Sequence, residues 1–302
     1  MLNKADRNNF RAFLVSLRPD EVARMSALCV WAFCVVAGTK TFEQSYIFVL
    51  LRLGAACALL GSGLAALNDL TDAAMDRASP LRETPVSRGS IQTSHMLAMV
   101  IPLIFVGTAL AFATPCPFRF ILLAAVWSAY AVPPFRLKKR YPWSNICNFS
   151  GGFLLVSLGA RAAGAALAAE LLLATFGGAI ILAGHFTHQA ADIAADKAAG
   201  HSTLSTRTCP RHALDASVAA IALSLVTIAL AAHLGHINPL PFLPLAVAAG
   251  FYGIFWVQAR QKASSSHTVT VFRERYRSAY LIAGILSIGA SLLPESASWI
   301  TS

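Results

Sequence analysis

Five of the chain's eight aspartates fall in two short segments whose spacing suits one kind of chemistry. The first is Asn68-Asp69-Leu70-Thr71-Asp72-Ala73-Ala74-Met75-Asp76, and the second is Asp192-Ile193-Ala194-Ala195-Asp196-Lys197-Ala198-Ala199-Gly200. If each segment continues a preceding helix, Asp72 and Asp76 lie one turn apart on one face, as do Asp192 and Asp196, with Asp69 on the side of Asp72. Carboxylates stacked in this way repel, and desolvation at a membrane boundary worsens the repulsion, so something cationic must compensate. Hard divalent cations take oxygen ligands, and magnesium is usually held by one or two carboxylates with waters and phosphate oxygens. Two such clusters are suited to clamp a magnesium diphosphate, which makes Asp69, Asp72, Asp76, Asp192 and Asp196 the candidate metal ligands. Either segment alone also reads as a solvated helix end paired with Arg77 or Lys197.

Between them runs Tyr130-Ala131-Val132-Pro133-Pro134-Phe135-Arg136-Leu137-Lys138-Lys139-Arg140, with four cations in its last five residues. A positively charged stop at a helix end is one reading. The other is a set of donors for a leaving diphosphate, Arg136 gripping two oxygens and Lys138 and Lys139 acting as point charges. His185 and His188 adjoin the second aspartate pair. Histidine titrates near neutral pH, which makes His185 and His188 candidates for a general base, against the plainer reading of interface histidines bonded to backbone or water.

The elements that carry these residues are membrane spans. The 302 residues are 56% hydrophobic and 13% charged, about half the charge density of roughly 25% in soluble chains, and mean hydropathy is +0.61. That leaves too little polar surface for a water-exposed globule, and it argues against a soluble enzyme, a fibrous protein or a disordered one. Uncharged stretches predict nine spans centred near Ala32, Ala58, Leu103, Ala125, Leu154, Gly178, Ser224, Ala248 and Ile285. With the N-terminus inside, every one of the 24 lysines and arginines except Lys40, Arg52, Arg119 and Arg161 falls on the cytoplasmic side, as the positive-inside tendency requires. Both aspartate segments and the basic stretch then share that side. The net charge of +10 is thereby concentrated on one face, suited to lipid headgroups or to an anionic substrate. Residues 1–20 have no signal-peptide pattern and read as a cytoplasmic arm. Six cysteines without paired spacing read as small core residues.

At these residues the sequence resembles the UbiA superfamily of intramembrane prenyltransferases. The family's first motif is matched at Asn68, Asp69, Asp72 and Asp76, and its second at Asp192, Asp196, Gly200, Thr203 and Leu204. The tyrosine, proline and basic stretch after the fourth helix looks like Tyr130 to Lys139. Two positions depart from the pattern. Thr84 stands where relatives carry an arginine, leaving Arg82 or Arg88 to take its place, and Gln189 stands where many carry a further acid.

The resemblance implies a single domain over residues 1–302, an all-α integral membrane protein with nine transmembrane helices enclosing a central cavity. It implies magnesium-dependent transfer of an isoprenyl group from an allylic diphosphate to a small lipophilic acceptor, most simply a phenol or quinone precursor. Asn68, Arg82, Tyr130, Arg136, Lys138 and His188 would be the catalytic residues. Arg82, Arg88, Arg136, Lys138, Lys139 and Lys197 would bind substrate. The growing allylic cation needs a dry cavity and aromatic faces, for which Trp127, Tyr130, Phe135 and Phe186 are placed. Other acceptors, phosphoribosyl transfer, cyclisation without an acceptor and, more distantly, transport are the alternatives. The expected partner is the bilayer, the inner membrane in a bacterium with the site facing the cytoplasm, and no nucleic acid.

Overall fold

A computed structural model of the chain describes residues 12–77 and 84–293, without the side chains of Met75 and Asp76. Arg82 and most of the N-terminal arm therefore lie outside the described residues. Nine helices of 15 residues or more dominate the described residues: α1 Pro19–Ala37, α2 Gln44–Arg77, α3 Thr93–Phe112, α4 Pro117–Ala131, α5 Trp143–Ala162, α6 Leu167–Ala191, α7 Pro210–His233, α8 Leu243–Gln261 and α9 Ser266–Ser291. Each contains one of the nine centres read from the sequence. Proline opens α1, α4 and α7, where its missing N–H costs nothing and its fixed φ is already helical.

Among the described residues six stretches are long and apolar enough to cross a membrane: Pro19–Phe42, Gln44–Ala74, Thr93–Phe112, Leu167–Ala191, Pro210–His233 and Leu240–Gln261. The other three long helices fall short for visible reasons. α4 has 15 residues, α5 carries Asn145, Asn148 and several small polar groups, and the first turns of α9 hold Arg273, Glu274, Arg275 and Arg277.

Polarity is distributed as lipid solvation would have it. Phe105 and Phe118 are 73% and 82% exposed, while Glu170, Gln189, Ser217 and Ser224 are buried. Packing of α5 on α6 depends on glycine, because a Cβ on Gly152 would stand 2.6 Å from the carbonyl oxygen of Gly177. Small residues allow such close approach where helices have no hydrophobic force driving them together in lipid.

The helices follow one another around the molecule, each packing on the next, and α9 returns to α1. Inside lies a largely apolar cavity of about 500 Å³, lined by residues of α1, α2, α4, α5, α6, α8 and α9. Its lining includes Asn68 of the first motif and His185 and His188, which precede the second.

Candidate active site

The first motif occupies the last turns of α2, and three basic side chains from elsewhere in the chain close on it. Arg18, at the entry to α1 with φ +48°, sends Nη2 to Asp69 Oδ1 at 2.6 Å and Nη1 to Glu21 at 3.3 Å. Asp69 is 3% exposed, so the ion pair balances a carboxylate withdrawn from water. Asp72 takes hydrogen bonds from both Arg136 and Lys138. Lys138 Nζ also donates to Asn68 Oδ1 at 2.5 Å, and Arg136 Nη2 to the Thr71 carbonyl at 2.8 Å. Burial pulls the Lys138 ammonium below its ordinary range, with Asp72 acting in the opposite sense.

Arg136 reaches this position through a left-handed backbone, φ +46°, directly after the Pro-Pro turn. Its Nε is buried and has no hydrogen-bond partner among the described residues. The sequence suggests Arg136 and Lys138 as ligands of a diphosphate; in the structure they engage the carboxylate that would hold the metal. Asp76 belongs to the same turn of α2, and its side chain lies outside the described residues.

The second motif does not continue its helix as the spacing suggests. α6 ends at Ala191, and Asp192 joins it to the short helix Ile193–Ala198. The bond from Asp196 N to the Asp192 carbonyl, 2.9 Å, keeps the two residues one turn apart, but their surroundings differ. Asp192 keeps 29% of its side chain exposed, near His188 Nδ1 at 3.5 Å and Arg273 Nη1 at 3.8 Å. Asp196 is enclosed beneath His201, whose Nδ1 is 3.3 Å away. Gly200, at φ +66°, makes the turn that brings His201 back, and the His201 amide closes it on the Asp196 carbonyl at 2.8 Å. A residue with a Cβ is strained at that φ.

The loops of the two regions are tied together. Ser202 N donates to the Lys139 carbonyl at 3.0 Å, and the Arg207 guanidinium sits 5.4 Å from the centre of the Tyr141 ring. The first contact joins the basic stretch to the second motif, and the other joins the residues just beyond each.

His188 Nδ1 lies 2.7 Å from Arg273 Nη1. Arginine can only donate, so the His188 lone pair at Nδ1 is engaged and its proton sits on Nε2. That arrangement presents a donor, whereas a base offers a lone pair. Lys197 and Arg88 are exposed, and the second motif is faced by Arg273 at Asp192 and by His201 at Asp196. Trp127 and Tyr130 line the cavity. Phe135 is 60% exposed and Phe186 is buried away from the lining, while Trp31, Tyr276 and Tyr280 supply aromatic faces that the sequence did not single out. Arg18 and Arg273 were also missed. The signals were the Arg18-Pro19 pair at a helix start and the dense charge of Arg273 to Arg277 at the start of an otherwise apolar helix.

Among the described residues no three acid, imidazole or thiol groups converge as a metal site. The donor chemistry nonetheless fits a hard divalent ion. Asp69, Asp72 and Asp192 offer carboxylate oxygens, each already balanced by cationic side chains, and phosphate and water oxygens usually complete magnesium's shell.

The profile of the UbiA prenyltransferase family matches residues 25–276. The chain belongs to this family. Among solved structures it resembles digeranylgeranylglyceryl phosphate synthase, at 17% identity and a TM-score of 0.70, covering 94% of this chain and 99% of that one. A UbiA homologue from Archaeoglobus fulgidus bound to GPP and Mg2+ matches at 18% identity and TM-score 0.65, over 92% and 99% of the two chains. The apo structure of a homologue from Aeropyrum pernix matches at 18% and 0.64, over 90% and 97%. These likenesses concern the fold. No curated protein matches the chain in sequence.

Proposed function

We propose that this UbiA-family protein transfers an isoprenyl group from an allylic diphosphate to a small lipophilic acceptor, a phenol or quinone precursor, with release of diphosphate. In this reading all nine long helices cross the bilayer, with the N-terminus and the site on the cytoplasmic side. The observation that carries the reading is the convergence of Arg136 and Lys138 on Asp72, with Lys138 also held by Asn68, which lines a largely apolar cavity. Charge for a diphosphate and an apolar volume for an isoprenoid tail then share one boundary.

The carboxylates of Asp69, Asp72, Asp76, Asp192 and Asp196 would hold magnesium, which when bound neutralises the diphosphate. Arg136 and Lys138 exchange their carboxylate partner for phosphate oxygens as the substrate arrives, and the unpartnered Arg136 Nε adds a third donor. Arg82, Arg88, Lys139 and Lys197 extend this positive field. As the carbon-oxygen bond breaks, these donors stabilise the negative charge gathering on the leaving group. The allylic carbon becomes cationic against the faces of Tyr130 and Trp127, in a cavity that keeps water from capturing it. Asn68 holds the Lys138 ammonium in place.

Product mass spectrometry tests the reading. Membranes containing the protein are supplied with magnesium, allylic diphosphates of increasing length and a panel of phenolic acceptors. An acceptor whose mass rises by one prenyl chain, dependent on magnesium and Asp72, is the expected result. Diphosphate left intact with every acceptor would refute it.

A further inference from the structure

Gln189 stands where many relatives carry an acid, and its contacts fix the protonation of a neighbouring histidine. The residue is 2% exposed, on the last turn of α6. The backbone amide of Leu204 donates to Gln189 Oε1 at 3.0 Å. A backbone N–H cannot accept, so this contact settles which end of the side-chain amide is oxygen. The Gln189 nitrogen then donates twice, to Asn145 Oδ1 at 2.7 Å and to His185 Nε2 at 2.8 Å. Turning the amide over would set its N–H groups against the Leu204 N–H.

His185 Nε2 must therefore carry a lone pair, and the ring's proton resides on Nδ1. An imidazolium would set two donors against each other at 2.8 Å. Nδ1 has no protein partner among the described residues, and His185 lines the cavity. The wall consequently offers an N–H at this point, with the ring's only lone pair turned into the protein.

We infer that His185, held as its Nδ1–H tautomer by Gln189, binds the acceptor substrate through an oxygen that takes a hydrogen bond, a carboxylate, phenolate or carbonyl oxygen. The residue orients the acceptor and sets its chemical class; it does not deprotonate it. A carboxylate at position 189 would reverse the arrangement, because its oxygens would take the Nε2–H and leave Nδ1 as the base. The identity of the ligand as acceptor rests on the proposed transfer reaction, whereas the tautomer does not.

The full-length protein, labelled with 15N-histidine in detergent micelles, reports the tautomer directly through its ring nitrogen shifts. The His185 signals are those lost in His185→Leu. The expected spectrum is neutral with the proton on Nδ1, and Gln189→Glu abolishes that form. A proton on Nε2, or an imidazolium, in the unaltered protein overturns the inference, and this readout stands even if Gln189→Glu fails to fold. Titration with benzoate, an aromatic oxyanion, is expected to move the His185 signals, and equilibrium dialysis of labelled benzoate is expected to show affinity about tenfold lower in His185→Leu, the effect of one hydrogen bond. Benzylamine, which presents only donors at neutral pH, should leave them unmoved. A response to benzylamine, or none to benzoate, overturns the ligand class. Neither measurement needs turnover, so a failure of the transfer reaction is scored separately by product mass spectrometry.

Discussion

Arg18 Nη2 stands 2.6 Å from Asp69 Oδ1, joining the first turn of α1 to the last turns of α2 across 51 positions of sequence. Asp69 is almost completely buried, so removing Arg18 takes away cationic balance from a carboxylate withdrawn from water. The cost of such a loss is on the order of 1–3 kcal/mol, and the 38% exposure of the Arg18 side chain puts this pair at the lower end. Arg18→Ala should therefore unfold at a lower temperature than the unaltered protein without magnesium, and added magnesium should close much of the gap by replacing the lost charge. Thermal unfolding in detergent, with magnesium and with EDTA, measures both. An equal drop in the two conditions would show that Asp69 does not take part in metal binding.

Asp72 is the carboxylate on which Arg136 and Lys138 converge. Asp72→Asn keeps shape and hydrogen-bonding capacity while removing charge, which separates electrostatics from packing. Prenyl transfer is expected to fall by about 10²–10³, the usual loss when one charge-stabilising group is removed from a reacting centre. Chelation of magnesium should abolish transfer in the unaltered protein, and restoring the ion should recover it. Turnover of Asp72→Asn within a few-fold of the original would mean that the metal is held elsewhere.

The limits of the sequence follow from which interactions are local. The uncharged stretches placed a centre in each long helix among the described residues, because a run of uncharged residues is a property of consecutive positions, though only six of the stretches are long and apolar enough to cross a membrane. The aspartate spacing placed the first motif on one helix for the same reason. Arg18 with Asp69 and Arg273 with His188 could not be read in that way, since each pair joins residues more than 50 positions apart. The bend at Asp192 was also illegible: Ala191, Ile193 and Ala194 are compatible with helix, and what holds the turn is the return of Gly200 and His201 onto Asp196. Phe135 and Phe186 were chosen by position near the ends of spans, but Phe135 falls in the turn beyond α4, and facing the cavity depends on rotation about the helix axis, which Trp127 and Tyr130 satisfy and Phe186 does not.

The unequal settings of Asp192 and Asp196 predict unequal consequences. Asp192→Ala removes a part-exposed carboxylate from the neighbourhood of Arg273 and should lower transfer strongly while shifting the unfolding temperature little. Asp196→Ala removes the enclosed partner of His201, whose Nε2 is already buried without a hydrogen bond. It should lower stability by about 1–3 kcal/mol as well as activity. Paired thermal unfolding and kcat/KM measurements distinguish the two, and indistinguishable profiles would contradict the assignment of separate roles.

The contact of α5 with α6 leads to a prediction about stability away from the cations. Gly152 and Gly177 let the two helices approach until a Cβ on Gly152 would collide with the Gly177 carbonyl and with Ile181. The opposing atom at the closest point is backbone, which cannot swing aside as the end of a side chain can. Gly152→Val should thus destabilise the protein by about 1–3 kcal/mol, as overpacking does elsewhere. Gly152 also lines the cavity, so helices pushed apart there would alter the volume available to a tail. A library of allylic diphosphates assayed with Gly152→Ala, the milder change, should show a shifted preference for chain length, with KM for the diphosphate changing more than kcat. An unchanged length preference together with an unchanged unfolding temperature would mean that the helices part without cost at this contact.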